Sequence, residues 1–309
     1  MRHDPYAKDL KTCVFDIETT GLFSGRDRII SASFCDPQTL DVKQLFCPDP
    51  SLEKNTVQDI LDELAAYDAV ITYNGYTFDL PFLKARAERH GLSFSPDLLW
   101  DIDVFKRLRR YWPAAQTMPS LRQASVEEAL GLTDKRDDKI RGADCIALYA
   151  RFLQLGDDAD AQTILLHNAD DVRQLARISG AVNFLPWHRI ALDEGFAAWP
   201  GKILVRGTEI KNGSIRVNAV MAKGQLPAAF YEDGWRLDYD SATGRILLCI
   251  YPETGDGLGF ADLQRLPVDA GALSALPGFD SGFLVLMRGE EPCPREINAL
   301  SRQLLKTLL

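Results

Sequence analysis

Asp16 and Glu18 stand two residues apart at the end of a short apolar run, TCVFDIE at 12–18. In a strand both side chains point to one face, about 6.5 to 7 Å apart along the backbone. Two carboxylates on one face of a central strand are costly to bury without a cation or another partner. Metal is the simplest compensation: two divalent ions about 4 Å apart could share Asp16, activating a water and stabilising a leaving oxygen. Asp79 closes the stretch Tyr73-Asn74-Gly75-Tyr76-Thr77-Phe78-Asp79 at the start of an expected helix, where capping is as good a reading as ligation. His167 and Asp171 are four residues apart in HNADD and so share a helix face. Taken alone, they read as a solvent-facing pair.

The elements that must position these residues follow from periodicity. Residues 12–18, 28–35 and 41–47 read as three strands of a meander, 69–73 as a fourth and 98–102 as a fifth. Helical spacing covers 55–66, 79–91, about 103–111, 119–130, 142–155 and 160–180. That order predicts an α/β fold, a mixed five-stranded sheet flanked by helices, as a domain over 1–185. Residues 186–201 (PWHRIALDEGFAAWPG) carry proline, glycine and tryptophan and read as a connector. A smaller, mainly β domain over 202–309 follows, with short strands such as KILVRGTEI, SIRVNAVMA, AAFYED, WRLDYD, RILLCIY and FLVLM. It ends in an amphipathic helix at 294–309, with Pro294 in its first turn and Ile297, Leu300, Leu304, Leu305 and Leu308 along one stripe.

Taken in order, CVFDIETTGL, YNGYTFDLPFLKAR and LLHNADDV resemble the three motifs of the DEDD superfamily of 3′–5′ exonucleases, whose domain is ribonuclease H-like. The resemblance spans about residues 10–180. MPSLRQASVEEALGL and KRDDKIRGADCIALYARFL also resemble a bacterial subgroup of predicted ribonuclease H-like exonucleases. The resemblance implies phosphodiester hydrolysis at single-stranded DNA or RNA 3′ ends. It also implies two Mg²⁺ or Mn²⁺ ions held by Asp16, Glu18, Asp79 and Asp171. His167 would be the general base, its ordinary pKa suiting the task; it stands at the spacing of the superfamily's Tyr branch. Asp170 rivals Asp171 as a ligand, but only Asp171 falls one helical turn after His167. Thr19, Gly21 and Leu22 would lie beside the bound 3′ end, and Asn74 would order the second motif or touch the terminal nucleotide. Two alternatives stand: an endonuclease of the same fold on structured or hybrid substrates, and a non-catalytic nucleic-acid-binding or protein-binding module.

The net charge of −9 weighs against a broad electrostatic grip on duplex DNA. A short single strand needs only a small basic groove, and bound cations neutralise clustered acids. Lys106, Arg107, Arg109 and Arg110 could form a phosphate patch beside Tyr111 and Trp112, or a solvated helix face. Tyr76 could stack on a base, whereas Phe78 reads as core; Asp101 and Asp103 read as a strand end and a helix cap. Residues 135–141 read as a polar loop, and neither His90 nor His188 has a ligand partner at useful spacing. The six cysteines form no C-x-x-C pair and read as reduced thiols. No run approaches a membrane span, and the N-terminus lacks a signal-peptide core, so a cytoplasmic location is expected.

Overall fold

In a computed structural model of the chain, which describes residues 4–132, 137, 140–200, 202–221 and 229–308, the run holding Asp16 is strand β1 (Thr12–Thr19). It is the middle of a five-stranded sheet. β2 (Ile29–Cys35) and β3 (Val42–Phe46) fold back as an antiparallel meander on one side. On the other, β4 (Ala69–Thr72) and β5 (Trp100–Asp103) run parallel, giving the order β3-β2-β1-β4-β5. Parallel neighbours need a crossover. Helix α1 (Glu53–Leu64) leads into β4, and α2 (Asp79–Arg89) joins β4 to β5.

Alternation along β1 sorts its side chains. Cys13, Phe15 and Ile17 enter the core built with Val57, Ile60, Leu61 and Leu64 of α1 and Leu80, Phe82, Leu83 and Ala87 of α2. Those helix positions recur every three or four residues, the spacing of one buried face. Asp16 and Glu18 therefore face the other side, which is covered by α5 (Gly142–Leu155) and α6 (Asp158–Ala181). The register pairs Asp16 with Ser33 and Glu18 with Ser31, then slips so that Thr19 pairs with Ile29. The unmatched residue is Ile30. This bulge sends Ile29 to the α1–α2 core and Ile30 to a second core with Cys145, Tyr149 and Ile164.

Element ends shift where side chains compete with the helix. Asp49 accepts from Ser51 N and caps the turn Pro50–Leu52, which runs directly into α1, so the helix starts before the expected residue 55. Helix α3 (Val104–Tyr111) is capped by Asp103, which accepts from Lys106 N. Helix α4 (Gln123–Ala129) is shorter than expected because Ser120 Oγ takes the Arg122 N–H into a local turn.

The chain separates into two compact units, Met1–Leu185 and Pro186–Leu309. The stretch 186–201, expected to be a connector, instead holds α7 (Trp187–Glu194) and strand β6 (Phe196–Trp199). The reason is burial: Ile190, Ala191, Leu192, Phe196, Ala197 and Ala198 all lie inside the second unit. Gly195 turns the chain between them at φ 92°, where a Cβ would sit 1.9 Å from the Val205 carbonyl oxygen.

The second unit continues with β7 (Ile203–Lys211), β8 (Ser214–Met221), β9 (Ala229–Glu232), β10 (Trp235–Asp240) and β11 (Arg245–Ile250) in an antiparallel sheet of order β6-β7-β8-β11-β10-β9. A smaller sheet follows: β12 (Glu253–Gly255), β13 (Leu258–Asp262), β14 (Phe279–Asp280), β15 (Phe283–Arg288) and β16 (Glu291–Pro292). A one-turn helix, α8 (Ala270–Leu273), precedes β14, and α9 (Pro294–Leu305) closes the unit on its apolar stripe. The β-rich C-terminal region ending in a helix is as expected. Among the described residues, no helix is long and apolar enough to cross a membrane.

Candidate active site

A cleft of about 450 Å³ opens over the acid-bearing end of β1. Asp16, Glu18, Asn74, Asp79, His167 and Asp171 all line it. Each arrives by a different local device. Strand pleat puts Asp16 and Glu18 on one face. Beyond β4 the chain turns through Asn74 at φ 68°, a conformation asparagine tolerates. The Asn74 N–H donates to Asp103 Oδ1 (3.0 Å), and its carbonyl accepts from Thr77 and Phe78. Gly75 is required by crowding, since a Cβ there would meet the Thr72 side chain at 2.5 Å. That turn delivers Asp79 to the first residue of α2, where Oδ1 accepts from Ile17 N of β1 (3.2 Å). The second motif is thus tied to the first through the backbone between Asp16 and Glu18.

His167 and Asp171 lie one helical turn apart on α6, and His167 Nε2 is 3.4 Å from Asp171 Oδ2 and 3.6 Å from Glu18 Oε1. Asp170, the rival, turns away: its carboxylate accepts from Asp137 N (2.7 Å) and pairs with Arg173 (3.4 Å). Between them in sequence, Asn168 does what the sequence reading missed. Fully buried, it donates from Nδ2 to Asp16 Oδ2 (2.7 Å), while its Oδ1 accepts from Ser31 Oγ (3.0 Å) and Ser33 Oγ (2.7 Å). Gln44 Nε2 donates to Ser33 Oγ (2.9 Å), which leaves the Ser33 hydroxyl proton for Asn168 Oδ1 and turns the amide N–H end to Asp16. Gln123 of α4 was also missed; it donates to the Asp171 carbonyl (2.9 Å).

The electrostatics of this cluster are those of acids lacking cations. Burial, then Asp79, Asp171 and Glu18, push the Asp16 carboxyl well above the usual range, and the Asn168 hydrogen bond only partly opposes them. Burial raises Glu18 to about 8, against the pull of His167. Asp79 is raised to about 7, again by burial first. Carboxylate oxygens of Asp16, Glu18 and Asp171 lie within 4.8 Å of one another. Oxygen donors gathered this closely, and electrostatically unfavourable without positive charge, fit a hard divalent cation. Asp79 lines the same cleft as a fourth acid.

Other expected residues lie elsewhere. Thr19 ends β1, and Gly21 and Leu22 lie in the loop beyond it, all three outside the cleft lining: Thr19 Oγ1 donates to the Gly21 carbonyl (2.7 Å), and Leu22 is 75% exposed. Tyr76 is exposed with Lys106 over its ring, while Phe78 packs on the core and lines the cleft. Arg107 does not belong to a surface patch. It is buried, pairs with Asp4 (3.2 Å) and lies over the Trp100 ring. Asp103 is the helix cap expected; Asp101, expected at a strand end, is the second residue of β5, accepts from Thr72 Oγ1 (2.7 Å) and is raised to about 7 by burial. His90, for which no ligand partner is expected at useful spacing, meets Glu53 at 3.1 Å. Residues 135, 136, 138 and 139 of the expected polar loop lie outside the described residues.

The sequence profile of the RNase_H superfamily matches residues 13–183, the span holding every residue of this cleft. The chain belongs to the RNase_H superfamily. Among curated relatives, a protein named DNA polymerase from Methanocaldococcus jannaschii is 35% identical over 96 residues, 28% of this chain and 6% of that protein. An uncharacterised protein, YprB of Bacillus subtilis, is 30% identical over 166 residues, 52% of this chain and 39% of that one. The matched regions thus span well under half the length of either relative. Among solved structures, the family B DNA polymerase of Pyrobaculum calidifontis superposes with a TM-score of 0.44 at 17% identity, over 55% of this chain and 24% of that one. For this RNase_H superfamily member, the shared region is the unit ending at Leu185.

Proposed function

We propose that the protein is a metal-dependent nuclease of the DEDD type that hydrolyses phosphodiester bonds, removing nucleotides from the 3′ ends of single-stranded DNA or RNA. The observation that carries this reading is the convergence of Asp16, Glu18 and Asp171 within 4.8 Å, with His167 Nε2 3.4 and 3.6 Å from two of them. Membership of the RNase_H superfamily and the likeness to a DNA polymerase support nucleic acid as the substrate.

Two divalent cations, Mg²⁺ or Mn²⁺, bound by Asp16, Glu18, Asp79 and Asp171 would supply positive charge to the phosphodiester and acidify a water. The protein's own groups do the rest. Asn168 and the two serines hold Asp16 in one rotamer, so the carboxylate keeps its place without rearrangement. His167 is positioned between Glu18 and Asp171 to take a proton from the attacking water. Arg141, exposed at the cleft wall, offers a cation to the incoming phosphates. Asn74, which lines the cleft, would meet the terminal nucleotide, and Thr19, Gly21 and Leu22 would lie beside the bound 3′ end.

The test is an incubation with 5′-end-labelled oligonucleotides and Mg²⁺ or Mn²⁺. A ladder shortening from the 3′ end is expected. Internal fragments would show an endonuclease instead. No cleavage, or cleavage untouched by Asp16→Ala, would overturn the reading.

A further inference from the structure

We propose a second metal-binding mode in this cleft, in which Glu18, Cys145 and His167 hold a borderline-soft divalent cation such as Zn²⁺ and thereby exclude the oxygen-bound ions. Three elements supply the donors: β1, the first turn of α5 and the middle of α6. One carboxylate oxygen, Cys145 Sγ and an imidazole nitrogen lie within 4.8 Å of one another, and all three residues are buried. The Cys145 thiol thus already stands beside the Glu18 carboxyl. In a tetrahedral zinc site, bonds of about 2.0 to 2.3 Å place neighbouring donors about 3.3 to 3.5 Å apart. His167 Nε2 and Glu18 Oε1, at 3.6 Å, are close to that spacing before any ion arrives.

Gly142, without a side chain, lines the cleft beside this pair. A Cβ there would have Glu18 Oε2 at 3.8 Å and His167 Nε2 at 3.9 Å as its nearest contacts, so that space is free for a water ligand. As the metal–sulfur bond forms, Cys145 releases its thiol proton to solvent, and no electron transfer is involved.

Ligand softness separates the two modes. Asp16, Glu18 and Asp171 offer only oxygen, which suits Mg²⁺ and Mn²⁺; the Cys145 set offers sulfur, nitrogen and oxygen, which suits Zn²⁺ or Co²⁺. Glu18 belongs to both sets, so occupancy of one weakens the other. The soft mode also engages His167 Nε2, leaving it unable to accept a proton. Inhibition by zinc therefore rests on the nuclease reading, whereas binding itself does not.

Cobalt makes the site visible. The full chain, freed of metal, is titrated with Co²⁺ and its near-ultraviolet and visible absorption followed. We expect a thiolate-to-cobalt charge-transfer band saturating at one equivalent, with tetrahedral d–d bands, both erased by Zn²⁺. Cys145→Ser and Cys145→Ala should lose the charge-transfer band, with circular dichroism confirming that each is folded. Cys293→Ser, at a half-buried thiol in the second unit, should keep it. No band in the wild type, or a band that survives both Cys145 variants, would overturn the proposal. In oligonucleotide cleavage with Mg²⁺, each protein measured against its own zinc-free rate, Cys145→Ser should need at least about tenfold more Zn²⁺ than the wild type for half-inhibition. Equal zinc sensitivity would overturn the exclusion. Cobalt bands with no cleavage by either protein would uphold the site and reject the nuclease reading instead.

Discussion

Two groups of buried acids in the same unit behave in opposite ways. Glu53 of α1 is sealed inside the protein, yet its carboxyl sits below its usual range. Burial alone would raise it, but Arg86, His90 and the Ile29 N–H together outweigh that penalty. Arg86 binds both Glu53 oxygens and also donates to the Ser24 carbonyl (2.9 Å). Asp16, Glu18 and Asp79 are raised instead, by burial first, and they have other acids rather than guanidinium groups beside them: Asp79, Asp171 and Glu18 by Asp16, Asp171 by Glu18, and Asp103 by Asp79. The first arrangement completes itself; the second is complete only with charge brought from solution. A buried acid that the fold supplies with its own cation is architecture, whereas a cluster left short of positive charge is a place for a ligand.

That contrast is most easily broken at Asp16. Replacing it with asparagine should reduce cleavage by about a thousandfold, the effect of losing about 4 kcal/mol of metal-assisted stabilisation. In EDTA, the same variant should melt at a higher temperature than the wild type, because a raised buried carboxyl has been neutralised. A lower melting temperature would mean that Asp16 is structural after all. Arg86→Met should do the reverse, destabilising the unit by about 3–5 kcal/mol in urea denaturation, with no rescue by Mn²⁺. Asn168→Ala should weaken Mn²⁺ binding by about 10- to 100-fold in calorimetry while leaving the fold intact. An unchanged affinity would remove Asn168 from any positioning role.

The smallest effect is in pH dependence. Glu18 at about 8 and Asp79 at about 7 titrate above the ordinary carboxylate range, so the folded protein holds protons that the unfolded chain has lost. Their contribution to stability is complete in acid below that ordinary range and declines as pH rises towards 8. Melting temperature in EDTA should therefore fall between pH 6 and pH 8, and saturating Mg²⁺ should flatten the slope. An identical slope with and without Mg²⁺ would show that no cation reaches these acids.

The five strands and the helices of the first unit were open to sequence reading because one period governs each: two along β1, and three to four along α1 and α2. The acids were readable for the same reason, since Asp16 and Glu18 break an apolar strand at matched phase. Asn168 was not. Its serine partners lie 137 and 135 residues away, and no local pattern distinguishes a buried amide from an exposed one. Arg107 misled for the converse reason. Its neighbours Lys106, Arg109 and Arg110 are exposed, and only the fold reveals that Asp4 reaches it. The stretch 186–201 was taken as a connector because proline, glycine and tryptophan mask an eight-residue helix too short to show a convincing period.

The unmatched Ile30 carries a final implication, for how this region can change over generations. Because it occupies the extra place opposite Glu18 and Thr19, the strand on one side of it is half a pleat out of step with the strand on the other. Deleting that one codon would bring the two stretches back into step. Ile29 and Ser31 would then be adjacent and still face opposite sides, so the serines would keep Asn168 and Ile29 its apolar core; the loss would fall on the second core, where Ile30 packs with Cys145, Tyr149 and Ile164. The extra residue therefore serves the second core and not the phase of the strand, and its loss is a change of length that the serines holding Asn168 would not feel.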